Sequence, residues 1–198
     1  MSSQLLDPSE TFSSLADEVG LDVRLRKAVS RLGLVRPTLV QSKCLPLAIS
    51  SGRDLLVRAR TGSGKTLAYC LPLLQKILKN TQKEEIVKAV ILVPTRELCT
   101  QVHKTLQGLV YYASELVQTA VLSGGRMSKE DLARQEAMLR DCPNVVVATP
   151  GGLLVHIRNN RLNLKQVETL VVDEADLVLS FGMCCSWEMS DCSCCLSS

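Results

Sequence analysis

Aromatic side chains are scarce in this sequence, with one Trp, three Tyr and two Phe among 198 residues. A binding surface built from stacked rings is thereby excluded, and any nucleic acid must be held mainly through its backbone. No run of about 18 apolar residues occurs, so no membrane-spanning helix is expected. The opening stretch Met1–Glu10 has neither a basic start nor an apolar core, so no secretory signal is expected. What is present suffices for a folded core: 46% of residues are hydrophobic and 22% charged, with a mean hydropathy of +0.15. That balance excludes a wholly disordered chain, and the length suits a single domain. The expectation is a soluble, intracellular, globular protein.

The formal charge of +3 is too mild to name a partner. Its placement says more, because residues 183–198 hold no Lys or Arg and two acids, Glu188 and Asp191. The first 182 residues therefore carry 23 basic against 18 acidic side chains, a basic lean that suits a polyanion. Five of the nine cysteines (Cys184, Cys185, Cys192, Cys194, Cys195) crowd into the same last sixteen residues. Five thiolates could serve a soft metal, but the spacing fits no zinc template and no His lies near. The plainer reading is a tail foreign to the domain before it. Cys44, Cys70, Cys99 and Cys142 are scattered through apolar segments, as buried free thiols are.

Ahead of the tail, short β-branched runs alternate with longer amphipathic stretches. Residues Asp54–Val57, Ala89–Val93, Thr119–Leu122, Val145–Ala148 and Leu170–Val172 read as buried strands. Helices are predicted over 22–32, from Lys65 to about Leu78, over Glu97–Ser114 and Lys129–Arg140, and briefly after Gly151. Apolar strands alternating with helices make an α/β fold with a parallel sheet covered on both faces. Active residues then belong at the carboxyl ends of the strands.

Ala59-Arg60-Thr61-Gly62-Ser63-Gly64-Lys65-Thr66 sits between one predicted strand and one predicted helix. Gly62 and Gly64 let the backbone curl so that successive N–H groups face phosphate oxygens, and the following helix adds its positive end. Lys65 can reach the β- and γ-phosphates, and the Thr66 hydroxyl is placed to ligate Mg²⁺. Ala59 replaces the first glycine of the strict pattern; a Gly/Ser turn that merely caps a helix is the bland reading. In Leu170–Asp176, apolar residues run straight into acids, putting carboxylates at a strand's end. Asp173 would hold Mg²⁺ through water and Glu174 would orient and deprotonate an attacking water; a solvated turn is the alternative.

Asp173-Glu174-Ala175-Asp176, taken with Ala59–Thr66, resembles the DEAD-box ATP-dependent RNA helicases. Further segments follow in that family's order: 33–41 is similar to its Q motif, 94–98 to its motif Ia, 123–125 to its GG element and 149–151 to its motif Ib. The resemblance implies a RecA-like phosphate-loop domain with a mainly parallel sheet flanked by helices, truncated before its last strand. Its implied extent is 12–182, after an N-terminal extension 1–11 and before a divergent Cys/Ser-rich tail 183–198.

It also implies ATP and Mg²⁺ as cofactors. Arg36, Thr38, Gln41 and residues 60–66 would bind the nucleotide, Gln41 reading adenine through its two-sided amide and Thr38 supporting the phosphate loop. Thr38-x-x-Gln41 is equally a capping box at a helix start. Lys65, Asp173 and Glu174 would be catalytic, Asp176 would couple the ATP and RNA sites, and Thr66 with Asp173 would hold Mg²⁺. Pro94, Thr95, Arg96, Gly124, Gly125, Thr149, Pro150 and Gly151 would line a sequence-independent RNA backbone track; for Gly124-Gly125 a simple turn is the alternative. The wording of 58–66 and 173–182 is most similar to nucleolar members that act in large ribosomal subunit assembly. Pre-ribosomal particles become expected partners, in the nucleus and nucleolus, or otherwise in the cytoplasm.

The sequence departs from the family at three places. Gly152 stands where motif Ib has Arg. Phe12, the candidate for an upstream ring on adenine, lies 21 residues before Gly33, four more than usual, and Ala16 occupies the usual place. No Ser-Ala-Thr element or second RecA-like domain follows Asp176, so a central slot of the sheet is expected to stand empty and the chain to be poorly stable alone. Three functions are thus in play: the ATPase half of an RNA helicase, a non-catalytic ATP- or RNA-binding product, and another phosphate-loop enzyme such as a nucleotide kinase. Asp173–Asp176 with Gln41 argues against the last.

Overall fold

A computed structural model describes residues 6–79, 86–124 and 128–180. In chain order the elements are α1 (Phe12–Glu18), α2 (Val23–Arg31), α3 (Leu39–Ser50), α4 (Lys65–Lys79), β1 (Ala89–Leu92), α5 (Arg96–Leu109), β2 (Thr119–Leu122), α6 (Lys129–Arg140), β3 (Val145–Ala148), α7 (Pro150–Arg158), β4 (Thr169–Val172) and α8 (Ala175–Ser180). The cysteine-rich tail lies outside the described residues, as does Gly125.

Four strands form one parallel sheet in the order β2-β3-β1-β4. The two central strands, AVIL and VVVA, are buried at every position, because helices cover both faces and leave no polar side. Successive side chains feed different cores. Ala89, Ile91, Val145 and Val147 join α1, α2, α4 and α5 in the larger one, while Val90, Leu92, Val146 and Ala148 pack with Leu122, Leu139, Leu153 and Leu162. The register pairs Leu92 with both Ala148 and Val172, and Leu122 with Ala148. The next residue of each strand therefore falls in one row: Val93, Ser123, Thr149 and Asp173.

Five helices follow the sequence pattern, with differences at their ends, whereas α1, α3 and α8 are not among the predicted helices and only the capping box at Thr38 points to α3. α6 has the predicted bounds and opens on a capping box between Ser128 and Asp131. α5 stops at Leu109, short of Ser114, and the chain turns over 111–116. There Tyr111 and Tyr112 meet edge to face at 5.0 Å, and the Arg31 guanidinium lies 3.8 Å above the Tyr111 ring. α1 and α8 span under two turns each, too short to show a period. Cys70 and Cys99 are buried as expected, whereas Cys44 and Cys142 are only half-buried; burial pushes the Cys99 thiol up to about 12.

One predicted strand fails to form. Residues Asp54–Val57 are irregular and exposed, with Leu56 fully in solvent. A strand exists only where a neighbour completes its ladder, and among the described residues none pairs with this segment. The same gap opens the outer edge of β4, where Leu170 is 58% and Val172 38% exposed. Between that edge and residues 52–57 lies a cleft of about 480 Å³, bounded further by Lys65, Tyr69, Leu73 and Asp173.

Candidate functional site

The phosphate-loop segment runs into α4 and is buttressed from α3. Thr38 caps α3, and its backbone N–H donates to Gln41 Oε1 at 2.9 Å. Gln41 Nε2 donates to the Gly64 carbonyl at 3.0 Å, across 23 residues of chain. Gly64 has φ +90, and a Cβ there would stand 2.5 Å from Gln41 Nε2 and 2.9 Å from Thr38 Oγ1. Only glycine permits so close an approach in that conformation. The bond to the loop is made by Gln41, the other member of the Thr38 capping box, rather than by Thr38 itself.

Gln41 itself is 2% exposed, with both ends of its amide engaged. One N–H and one lone pair remain for any base edge. Arg36 is exposed, its Nη1 donating to the Pro8 carbonyl at 2.6 Å. Phe12 is buried in the core at 3% exposure, its N–H on the Val35 carbonyl, so its ring serves packing.

Arg60, Thr61 and Gly62 are exposed and Ser63 is buried. Lys65 Nζ folds back onto the loop, donating to the carbonyls of Ala59 at 2.7 Å and Arg60 at 3.2 Å. Ser63 Oγ is buried without a hydrogen-bond partner, a polar atom left for something that enters the loop. The Thr66 hydroxyl and the Asp173 carboxylate, both half-buried, are hard oxygen donors of the kind Mg²⁺ takes. The residues present therefore fit a Mg-bound phosphate chain.

Across from the loop, Asp173 continues β4 with its N–H on the Leu92 carbonyl. Its Oδ1 accepts from the Glu174 N–H at 3.0 Å and its Oδ2 from the Tyr69 hydroxyl at 3.1 Å. Burial pushes the Tyr69 phenol well above its ordinary range, with the Asp173 charge adding to it, so the ring keeps its proton and donates. Glu174 sits at φ +51, a left-handed conformation uncommon outside glycine. Asp176 is exposed in the first turn of α8.

The row of strand ends forms a second feature beside the loop. Thr95 caps α5, accepting from the Leu98 N–H at 3.2 Å, with Pro94 half-buried before it. Arg96 Nε donates to the Gly124 carbonyl. Thr149 Oγ1 accepts from the N–H groups of Gly124 at 2.7 Å and Gly152 at 3.3 Å, and Pro150 fills the first position of α7. A Cβ on Gly152 would meet the Leu122 carbonyl at 2.2 Å, and one on Gly124 the Gly152 N–H at 2.4 Å. Glycine at 152 thus lets α7 press against the end of β2.

Three residues at these sites escape sequence reasoning. Tyr69 carries the one faint signal, a polar tip three residues after Thr66 on an otherwise apolar helix face. Gln135 and His156 carry none. His156 is fully buried, its Nε2 2.9 Å from Gln135 Oε1, while Gln135 Nε2 donates to the Ser123 carbonyl at 3.1 Å. Since the Gln135 oxygen accepts, His156 Nε2 carries the proton and Nδ1 is bare and unpartnered.

Burial holds His156 below its ordinary pKa, and does the same to His103, which hydrogen-bonds Thr119 Oγ1 at 2.9 Å. Below about pH 6.5 the unfolded chain takes up these protons and the folded chain resists them, so acid destabilises. Each excluded proton costs about 1.4 kcal/mol per pH unit. The unfolding midpoint is expected to fall between pH 7 and 5, and His156→Gln to flatten that fall; equal slopes in both proteins would contradict the assignment.

Fold and site together define a RecA-like α/β domain, with a phosphate-loop segment and an acidic strand end meeting at one edge of a parallel sheet. The family model described as DEAD/DEAH box helicase matches residues 38–192. The protein named "Probable ATP-dependent RNA helicase ddx56" of Dictyostelium discoideum is 45% identical over 92% of this chain and 26% of its own length. "ATP-dependent RNA helicase DBP9" of Debaryomyces hansenii is 39% identical over 89% of this chain and 30% of its own. The crystal structure of the yeast DEAD-box splicing factor Prp28 superimposes with a TM-score of 0.77 at 31% identity, over 92% of this chain and 42% of that one. This chain belongs to the DEAD/DEAH box helicase family, and it spans between a quarter and a third of the curated relatives it matches. No helix among the described residues is long and apolar enough to cross a membrane.

Proposed function

We propose that this chain is the ATP-binding half of an ATP-dependent RNA helicase, comprising residues 12–182 between an N-terminal extension and a Cys/Ser-rich tail. One observation carries the reading: Tyr69, one turn beyond Thr66 on the helix that the phosphate loop opens, hydrogen-bonds Asp173. A single side chain thus ties the helix that the loop opens to the acidic strand end, 104 residues further along the sequence.

In this reading Lys65 exchanges the carbonyls of Ala59 and Arg60 for the β- and γ-phosphates. The N–H groups of 60–66 cradle the same oxygens. Thr66, and Asp173 through water, would hold Mg²⁺, which when bound neutralises charge on the phosphate oxygens. Glu174 orients a water against the γ-phosphate and accepts its proton. Arg36 and Gln41 face the base, and Asp176 links the ATP and RNA sites. Thr95, Arg96, Gly124, Gly125, Thr149 and Gly151, with Pro94 and Pro150 setting their loops, meet the backbone of single-stranded RNA.

Unwinding or remodelling of RNA in large ribosomal subunit assembly, at the nucleolus, is the process we assign to the whole protein. The wording of 58–66 and 173–182 supports it. A second reading, an ATP- and RNA-binding product without turnover, is favoured by the open edge of β4 beside Asp173.

Thermal unfolding of residues 1–198 with and without Mg·ATP tests the nucleotide reading. Ligand at a hundred times its dissociation constant adds about 2.7 kcal/mol, a rise of about 5–10 °C in a domain of this size. Lys65→Ala is expected to abolish the rise. A wild-type midpoint indifferent to Mg·ATP would overturn the reading, and RNA-stimulated hydrolysis by this chain would eliminate the second one.

A further inference from the structure

Tyr69 lies in neither of the sequence segments that carry the nucleotide chemistry, yet its hydroxyl is the side-chain group joining them. It donates to Asp173 Oδ2 at 3.1 Å. Asp173 Oδ1 is taken independently by the Glu174 N–H at 3.0 Å. A carboxylate held at one oxygen can still turn about its terminal bond; held at both, it has a set plane. The ring that brings the hydroxyl there is half-buried and packs against the larger core, so the donor is fixed by the same helix that carries Thr66.

Resting on the nucleotide reading above, we propose that Tyr69 is a positioning residue for Mg²⁺. Its hydroxyl, together with the Glu174 N–H, sets the plane of the Asp173 carboxylate that would hold the ion through water. Packing alone does not account for the hydroxyl, since phenylalanine would fill the same space. The hydroxyl would act through Asp173, without touching nucleotide.

A Mg²⁺ titration of fluorescent ATP-analogue binding to the 198-residue chain tests this directly. Tyr69→Phe keeps the ring, and is expected to raise the Mg²⁺ concentration for half-saturation about tenfold, the scale of one hydrogen bond to a charged group. The loss is confined to the Mg²⁺-dependent part of binding. In the Asp173→Asn background, Tyr69→Phe is expected to add nothing, because the carboxylate it positions is gone. Wild-type Mg²⁺ dependence in Tyr69→Phe, or a full further loss on top of Asp173→Asn, overturns the inference. A wild-type chain whose analogue binding ignores Mg²⁺ overturns the nucleotide reading itself, and is thereby distinguishable.

As a second readout, unfolding midpoints of the two single variants and the double variant, taken without nucleotide, report whether the two side chains are coupled. Strict additivity there also overturns the inference.

Discussion

Gly64→Ala is expected to lower the unfolding midpoint by about 10 °C and to remove stabilisation by Mg·ATP. At φ +90 an L side chain is strained, at a cost of about 1–3 kcal/mol. The new methyl would also drive Gln41 Nε2 from 2.5 Å, breaking its bond to the Gly64 carbonyl and disturbing the one from the Thr38 N–H. A buried polar group left unpaired costs a further ~1–3 kcal/mol. About 3 kcal/mol in a domain of this size corresponds to the shift stated. Gly62→Ala is the control: φ is +79, but nothing lies within 4 Å of the added carbon. Strain alone applies there, and a clearly smaller shift is expected. Equal shifts for the two variants would show that the α3 buttress contributes nothing.

Ile91→Ala and Leu170→Ala are expected to differ by several kcal/mol, although both residues occupy strands of one sheet. Ile91 is fully buried in β1, and its truncation removes packing on the scale of 2–5 kcal/mol. Such a loss can exceed the whole stability of a chain with an open sheet edge. Leu170 in β4 is 58% exposed toward the cleft, so its truncation is expected to cost under about 1 kcal/mol. Urea unfolding monitored by far-ultraviolet circular dichroism gives both values. A Leu170→Ala loss as large as that of Ile91→Ala would mean that the edge of β4 is covered in solution.

The same comparison marks where reading the sequence stops. AVIL, TAVL, VVVA and LVV are apolar enough to be recognised as strands wherever they sit. Lys129–Arg140 carries its own cap and period, and Thr38-x-x-Gln41 its own capping box. Asp54–Val57 has equal apolar character, yet it is no strand, because strand formation is a property of a pair. A ladder partner beside β4 is not something the segment can specify alone. Gln41 shows the same limit from the other side: its amide suits a base edge, but its direction toward Gly64 depends on α3 packing beside α4.

What the sequence by itself determined was the class of fold, the four strands that pair, with the helices between them, and the residue types of the Gly62–Thr66 turn and the acidic strand end. Those are local facts, written in glycine spacing, β-branched runs and caps. Only the tertiary structure decided that Tyr69 reaches Asp173, that His156 and Gln135 hold Ser123, and that glycine at 152 admits α7 to the end of β2. Each of these depends on a contact between distant segments, set by the parallel register that brings Val93, Ser123, Thr149 and Asp173 into one row, and a register exists only once the strands have paired.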